Sequence, residues 1–185
     1  MFLTWGERML APDHLKQRIR ALRAGSLWPT DDIGNSIRDI PPLECLLPHR
    51  PPFMLIDKIE RVDLSGERLR AVRHLAVDDA VFAGHFPGDP IYPGVLLVES
   101  IAQAAVCLCS LLYAPDRVAN PETCVRVRAT HIHHAVFPNS AHPDDDLGIQ
   151  VRMDDRDTLS CCFSGQVWAR DRLCCGAMGE FHVLG

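Results

Sequence analysis

A chain of 185 residues is long enough to bury one sizeable core and cramped for two. Its 47% hydrophobic and 23% charged residues are those of an ordinary globular protein, which excludes disorder, collagen and coiled coil. The net charge of -5 comes from 19 basic and 24 acidic side chains with no basic stripe, so nucleic acid is not an expected partner.

The opening stretch MFLTWGERMLAPDHLKQ lacks the charged start, apolar run and small-residue cleavage site of a secretory signal. A reducing, cytoplasmic setting is therefore expected. There the eight cysteines, with no CxxC among them and with adjacent pairs at Cys161/Cys162 and Cys174/Cys175, read as free thiols and not as a disulfide or zinc framework. Residues 1 to 40 read as an extension holding a short basic helix from Asp13 to Arg23. Leu15, Ile19 and Leu22 recur at helical spacing while Lys16, Arg18, Arg20 and Arg23 face elsewhere. Covering the main body is the preferred role of this helix, and meeting an acidic partner the alternative.

From residue 41 onward the pattern is that of one domain. Phe53 to Val62 and Arg68 to Leu75 are strand-like runs separated by the turn residues Asp63, Ser65 and Gly66, which predicts a hairpin. After a loop rich in Gly and Pro comes a long apolar segment, Val95 to Tyr113. Its length invites comparison with the ~20 residues that span a bilayer, but Glu99, Ser100, Gln103 and Ser110 interrupt it and no basic flank marks an inside end. It is read as a buried core helix, with no membrane span. Thr123 to Val136, Leu147 to Met153, Leu159 to Ala169 and Leu173 to Val183 then read as strands. Strands that follow one another without helices argue for an antiparallel sheet, and the fold class is α+β with that sheet wrapped around one helix.

An ionised carboxylate within an apolar helix is costly, so Glu99 asks for a reason. Kept protonated by its surroundings it can act as a general acid; a structural ion pair is the competing reading. The loop before the helix, GHFPGDPIYPG from Gly84 to Gly94, holds His85, whose ordinary pKa suits a base working near neutral pH, although a lone histidine is more often structural. Gly94 stands at the helix start, where free N–H groups and the helix dipole can stabilise a developing oxyanion.

Two stretches resemble the 3-hydroxyacyl-acyl-carrier-protein dehydratases of the FabZ and FabA type, which have the hotdog fold. LLPHRPPFMLIDKI is similar to the LPHRxPFLLVD segment of the FabZ type, and GHFPGDPIYPGVLLVESIAQAA to its active-site loop and helix. The resemblance places the catalytic histidine on His85, its acidic partner on Glu99 and the carbonyl-binding glycine on Gly94, with Val95 and Gln103 as further substrate-binding positions. It implies removal of water from a (3R)-3-hydroxyacyl thioester to give a trans-2-enoyl thioester, in fatty-acid or polyketide-type biosynthesis, without a cofactor. It also implies a homodimer, with three dimers forming a hexamer, in which Glu99 serves the histidine of the neighbouring subunit. The thioester would arrive on an acyl carrier protein, with Arg50, Arg126, Arg128 or the basic helix as docking cations. A hotdog thioesterase and a non-catalytic assembly subunit are the alternatives; retention of both His85 and Glu99 speaks against the second.

The segment after the central helix, THIHHAVFPNSAHPDDDL, departs from that family by its length, its lack of glycine and its histidines His131, His133, His134 and His142. Residues 131 and 133 share one face of a strand, but the spacing matches no zinc pattern, and no metal site is expected.

Overall fold

The computed structural model describes residues 12–27, 40–113 and 124–184. Four helices fall within them: α1 (Pro12–Ala24), α2 (Leu43–Leu46), α3 (Val81–Gly84) and α4 (Gly94–Tyr113). The strands are β1 (Lys58–Asp63), β2 (Arg68–His74), β3 (Arg126–Val136), β4 (Asp146–Arg156), β5 (Ser160–Ala169) and β6 (Arg172–Leu184). They make one antiparallel sheet in the order β1-β2-β4-β5-β6-β3.

The hairpin between β1 and β2 forms where the turn residues predict it. Asp63, itself buried, accepts hydrogen bonds from the Ser65 hydroxyl at 2.7 Å, the Gly66 N–H at 2.9 Å and the Arg68 guanidinium at 2.8 Å. Burial works to raise the Asp63 carboxyl, but these bonds outweigh it and hold it at about 2.

One difference from the sequence reading has a side-chain cause. The strand-like run from Phe53 begins its ladder only at Lys58. The carbonyl of Phe53 and the N–H of Leu55 are instead bound by the amide of Gln103 on α4, at 2.9 and 2.8 Å. This stretch of backbone is therefore satisfied by a helix side chain and not by a neighbouring strand.

Strand alternation sends Leu69, Ala71, Ile149, Val151 and Val167 into the core against α4, of which Leu97, Ile101, Ala104, Ala105 and Leu108 are buried. Gly165 on β5 permits this approach: a Cβ there would lie 2.2 Å from Cγ2 of Ile101. Among the described residues α4 alone has the length and apolarity of a membrane span, yet 67% of its apolar window is buried within the fold. The polar groups on α4 are accommodated locally, with the Ser100 hydroxyl donating to Leu96 O and that of Ser110 to Leu46 O. All eight cysteines are free and seven are buried, and burial pushes Cys162 and Cys175 up to about 12, so these thiols are unreactive packing groups.

On the opposite face of the sheet α1 covers part of β5 and β6. Leu22 is 1% exposed and lies over Gly176 of β6. Gln166, fully buried on β5, donates to the carbonyls of Leu22 at 2.9 Å and Gly25 at 2.8 Å and accepts from the N–H of Leu27 at 2.7 Å. Ser26 donates to Gln150, and Arg18 reaches Ser164 and Asp154. The basic helix thus lies on the main body, with Leu22 inward and Lys16, Arg20 and Arg23 in solvent. β5 is consequently enclosed on both faces.

Candidate active site

His85 follows the single turn of α3, whose start is fixed by Asp79, the acceptor for the Val81 N–H and the Arg73 guanidinium. The His85 N–H closes that turn on Val81 O, and Ile91 N–H returns to His85 O at 2.9 Å. Between them Phe86 and Asp89 exchange backbone hydrogen bonds around Gly88, whose φ of +83° suits glycine. The ring of His85 stacks on Phe86 at 4.1 Å, and its Nδ1 lies 2.8 Å from Ile91 O. A carbonyl can only accept, so Nδ1 carries the hydrogen and the neutral ring presents a bare Nε2, the form a general base requires.

Gly94 opens α4. The first bonds of the helix run from Leu96 and Leu97 to Pro93 O, and the N–H groups of Gly94 and Val95 have no acceptor among the described residues. A Cβ at Gly94 would meet the Phe137 ring at 2.9 Å, so only glycine allows that ring to sit over the helix start. Val95 is 72% exposed, and Phe86 and Phe137 are also open to solvent. Val95 and Phe137 therefore put exposed apolar surface at the point where the helix dipole emerges.

Glu99 sits a turn and a half along α4, half-buried. Its Oε1 accepts from Gln103 Nε2 at 2.9 Å and lies 3.6 Å from Nε2 of His49. Gln103 is wholly enclosed, its amide committed to Phe53, Leu55 and Glu99 on its own chain. His49 comes from the PHRPP stretch, braced by the Arg50 guanidinium on the carbonyls of Leu47, His49 and Glu44. Sequence reasoning did not single out His49, since fifty residues separate it from Glu99; the motif containing it was the only available signal.

The structure thus places Glu99 and Gln103 in one cluster, joined by the unforeseen His49, and His85 with its loop in another. None of the contacts of His85 is to Glu99. A groove of about 840 Å³ on the outer face of the sheet, lined by Arg70, His74, Gln150 and Trp168 among others, contains neither residue.

A six-stranded antiparallel sheet around one long apolar helix, with a histidine loop at the helix start and a carboxylate on its second turn, defines a hotdog-fold protein of the dehydratase type. Residues 47–177 match the FabA-like domain, and the chain belongs to that family. A 3-hydroxyacyl-[acyl-carrier-protein] dehydratase FabZ from Xanthomonas oryzae pv. oryzae is 30% identical over 148 residues, covering 77% of this chain and 94% of the relative. The FabZ of Anaeromyxobacter dehalogenans is 36% identical over 118 residues, covering 64% and 72%. Among solved structures, the dehydratase heterocomplex ApeI:P from Xenorhabdus doucetiae shares the fold with a TM-score of 0.62 at 17% identity, covering 80% of this chain and 93% of that one. A hypothetical thioesterase from Streptococcus pneumoniae shares it with a TM-score of 0.52 at 12% identity, covering 69% and 85%.

Proposed function

We propose that the chain is a 3-hydroxyacyl-acyl-carrier-protein dehydratase of fatty-acid biosynthesis whose working site joins His85 of one protomer to Glu99 of another. The observation that carries the two-protomer reading is that, among the described residues, no contact joins the two clusters: the carboxylate is engaged by Gln103 and His49, while His85 is held by Ile91 O and stacked on Phe86. β3 is an edge strand with Ile132 65% exposed, and a second copy of the chain is the partner that would cover such an edge.

In this reading Nε2 of His85 removes the proton beside the thioester carbonyl. Negative charge grows on the carbonyl oxygen, where the N–H of Gly94 and the dipole of α4 meet it. The bond from C3 to the hydroxyl oxygen then breaks as protonated Glu99 delivers its proton, releasing water and leaving the enoyl thioester. The proton on His85 and the vacancy on Glu99 are reset through solvent. Gln103 and His49 are positioning residues: they hold the acid and do not contact the acyl group. Val95 contributes apolar surface at the mouth. Lys16, Arg20, Arg23, Arg126 and Arg128 are exposed cations that suit an acidic carrier protein, whereas Arg50 braces its own loop. Free thiols throughout suit a reducing cytoplasm.

The test is enoyl formation from 3-hydroxyacyl carrier-protein thioesters. The wild-type chain is expected to form the enoyl product without releasing free thiol, and His85→Ala to lose about 10²- to 10⁴-fold in turnover while its melting temperature holds. Release of free thiol, or an unimpaired His85→Ala enzyme, overturns the reading.

A further inference from the structure

The histidine-rich strand has a partner that the sequence does not reveal. β3 pairs with β6 through two irregularities, one between Ala129 and His131 and one between Ile132 and His134, each admitting an extra residue on β3. Bulges of this kind re-aim side chains. Here the first sets His131 opposite Glu180 of β6, and the second makes His133 the extra residue and turns it back toward the same carboxylate. Oε2 of Glu180 lies 3.2 Å from Nε2 of His133 and 3.6 Å from Nδ1 of His131. The two imidazoles stack 5.3 Å apart with their planes 6° from parallel.

Three donor atoms from His131, His133 and Glu180 lie within 4.8 Å of one another. Ligands bound at about 2.0–2.1 Å to a tetrahedral ion stand roughly 3.3–3.5 Å apart, close to the two nitrogen-to-oxygen separations found here. The remaining edge closes by rotation of His131, whose side chain is 63% exposed, whereas His133 at 13% and Glu180 at 21% are held in place. Two stacked imidazoles and one carboxylate form a donor set for a borderline divalent cation. His134 and His142 lie outside the cluster.

We propose that His131, His133 and Glu180 bind one divalent first-row transition ion, of which zinc is the representative, tying the edge strand β3 to β6. The site stands on the outer face of the sheet beside the edge that a second copy would cover, and its ligands are distinct from His85 and Glu99.

The experiment uses the full chain, stripped with a chelator and titrated calorimetrically with Zn²⁺ alone, with Co²⁺ absorption as a reporter of the ligands. One Zn²⁺ per chain at micromolar affinity is expected, Mg²⁺ in excess should not compete, and the cobalt spectrum should lack thiolate charge transfer. The double variant His131→Ala/His133→Ala should lose about 100-fold or more in affinity, and Glu180→Gln, which leaves the backbone ladder intact, about 10-fold or more. If the double variant melts early, Glu180→Gln and the histidine ring resonances, which should shift on metal addition, decide. Absence of Zn²⁺ uptake, a thiolate signature, or uptake undisturbed by these variants overturns the proposal.

Discussion

Replacing Gln103 by methionine, which keeps the volume and removes the amide, tests the link between packing and site. The side chain is 0% exposed and makes three hydrogen bonds, at 2.8 Å from Leu55 N–H, 2.9 Å to Phe53 O and 2.9 Å to Glu99 Oε1. Leu55 is buried, so its N–H would be orphaned at a cost of about 1–3 kcal/mol; Phe53 is half-exposed, and its carbonyl can recover a water. Adding the lost bonds gives about 2–4 kcal/mol, or a fall of about 5–15 °C in melting temperature for a chain of this size. Glu99 would also lose the donor that aims it, and a carboxyl displaced by an ångström costs about 100-fold in turnover. Circular-dichroism melts at one protein concentration and the enoyl assay read both effects. A variant with wild-type melting and wild-type turnover would refute the assignment of Gln103 as the support of both the Phe53–Leu55 backbone and the acid.

Two further substitutions probe the frame around the site. Leu22→Ala, in the helix covering the outer sheet face, removes a fully buried side chain and should cost about 2–5 kcal/mol by denaturant melting; an unchanged midpoint would mean that α1 is not packed on the sheet in solution. Asp63 is held at about 2 in the folded chain against an ordinary 3.8, which is worth about 2 kcal/mol. Because the folded value is the lower one, that stability is present above about pH 4 and is lost as pH falls toward 2. The gap between wild type and Asp63→Asn should accordingly be full at pH 6 and shrink below pH 4; a constant gap would contradict the charge-based account of the turn.

The chain order of the elements was legible because the alternation and turn residues after Lys58 are strong, and because α4 is apolar on nearly every side. The lack of clean alternation in SCCFSGQVWA has its explanation in a strand buried on both faces, by α4 within and α1 without. What could not be read depends on pairings across long sequence distances. Phe53 to Leu55 looked like strand because nothing local shows that Gln103 binds its backbone. His49 could not be set beside Glu99, nor Glu180 beside two histidines, without the sheet register and its two bulges. The loop motif and the carboxylate on the helix were visible, and the resemblance already gave Glu99 to the histidine of a neighbouring subunit.

The most direct test of the shared site is complementation between two inactive forms. His85→Ala and Glu99→Gln, each dead alone, are unfolded together, refolded at equal amounts and assayed, with native mass spectrometry confirming mixed dimers. In a two-fold dimer each mixed pair keeps one intact site, so about a quarter of wild-type activity should return. A mixture that forms mixed dimers and stays inactive would contradict a site built from His85 of one protomer and Glu99 of its partner.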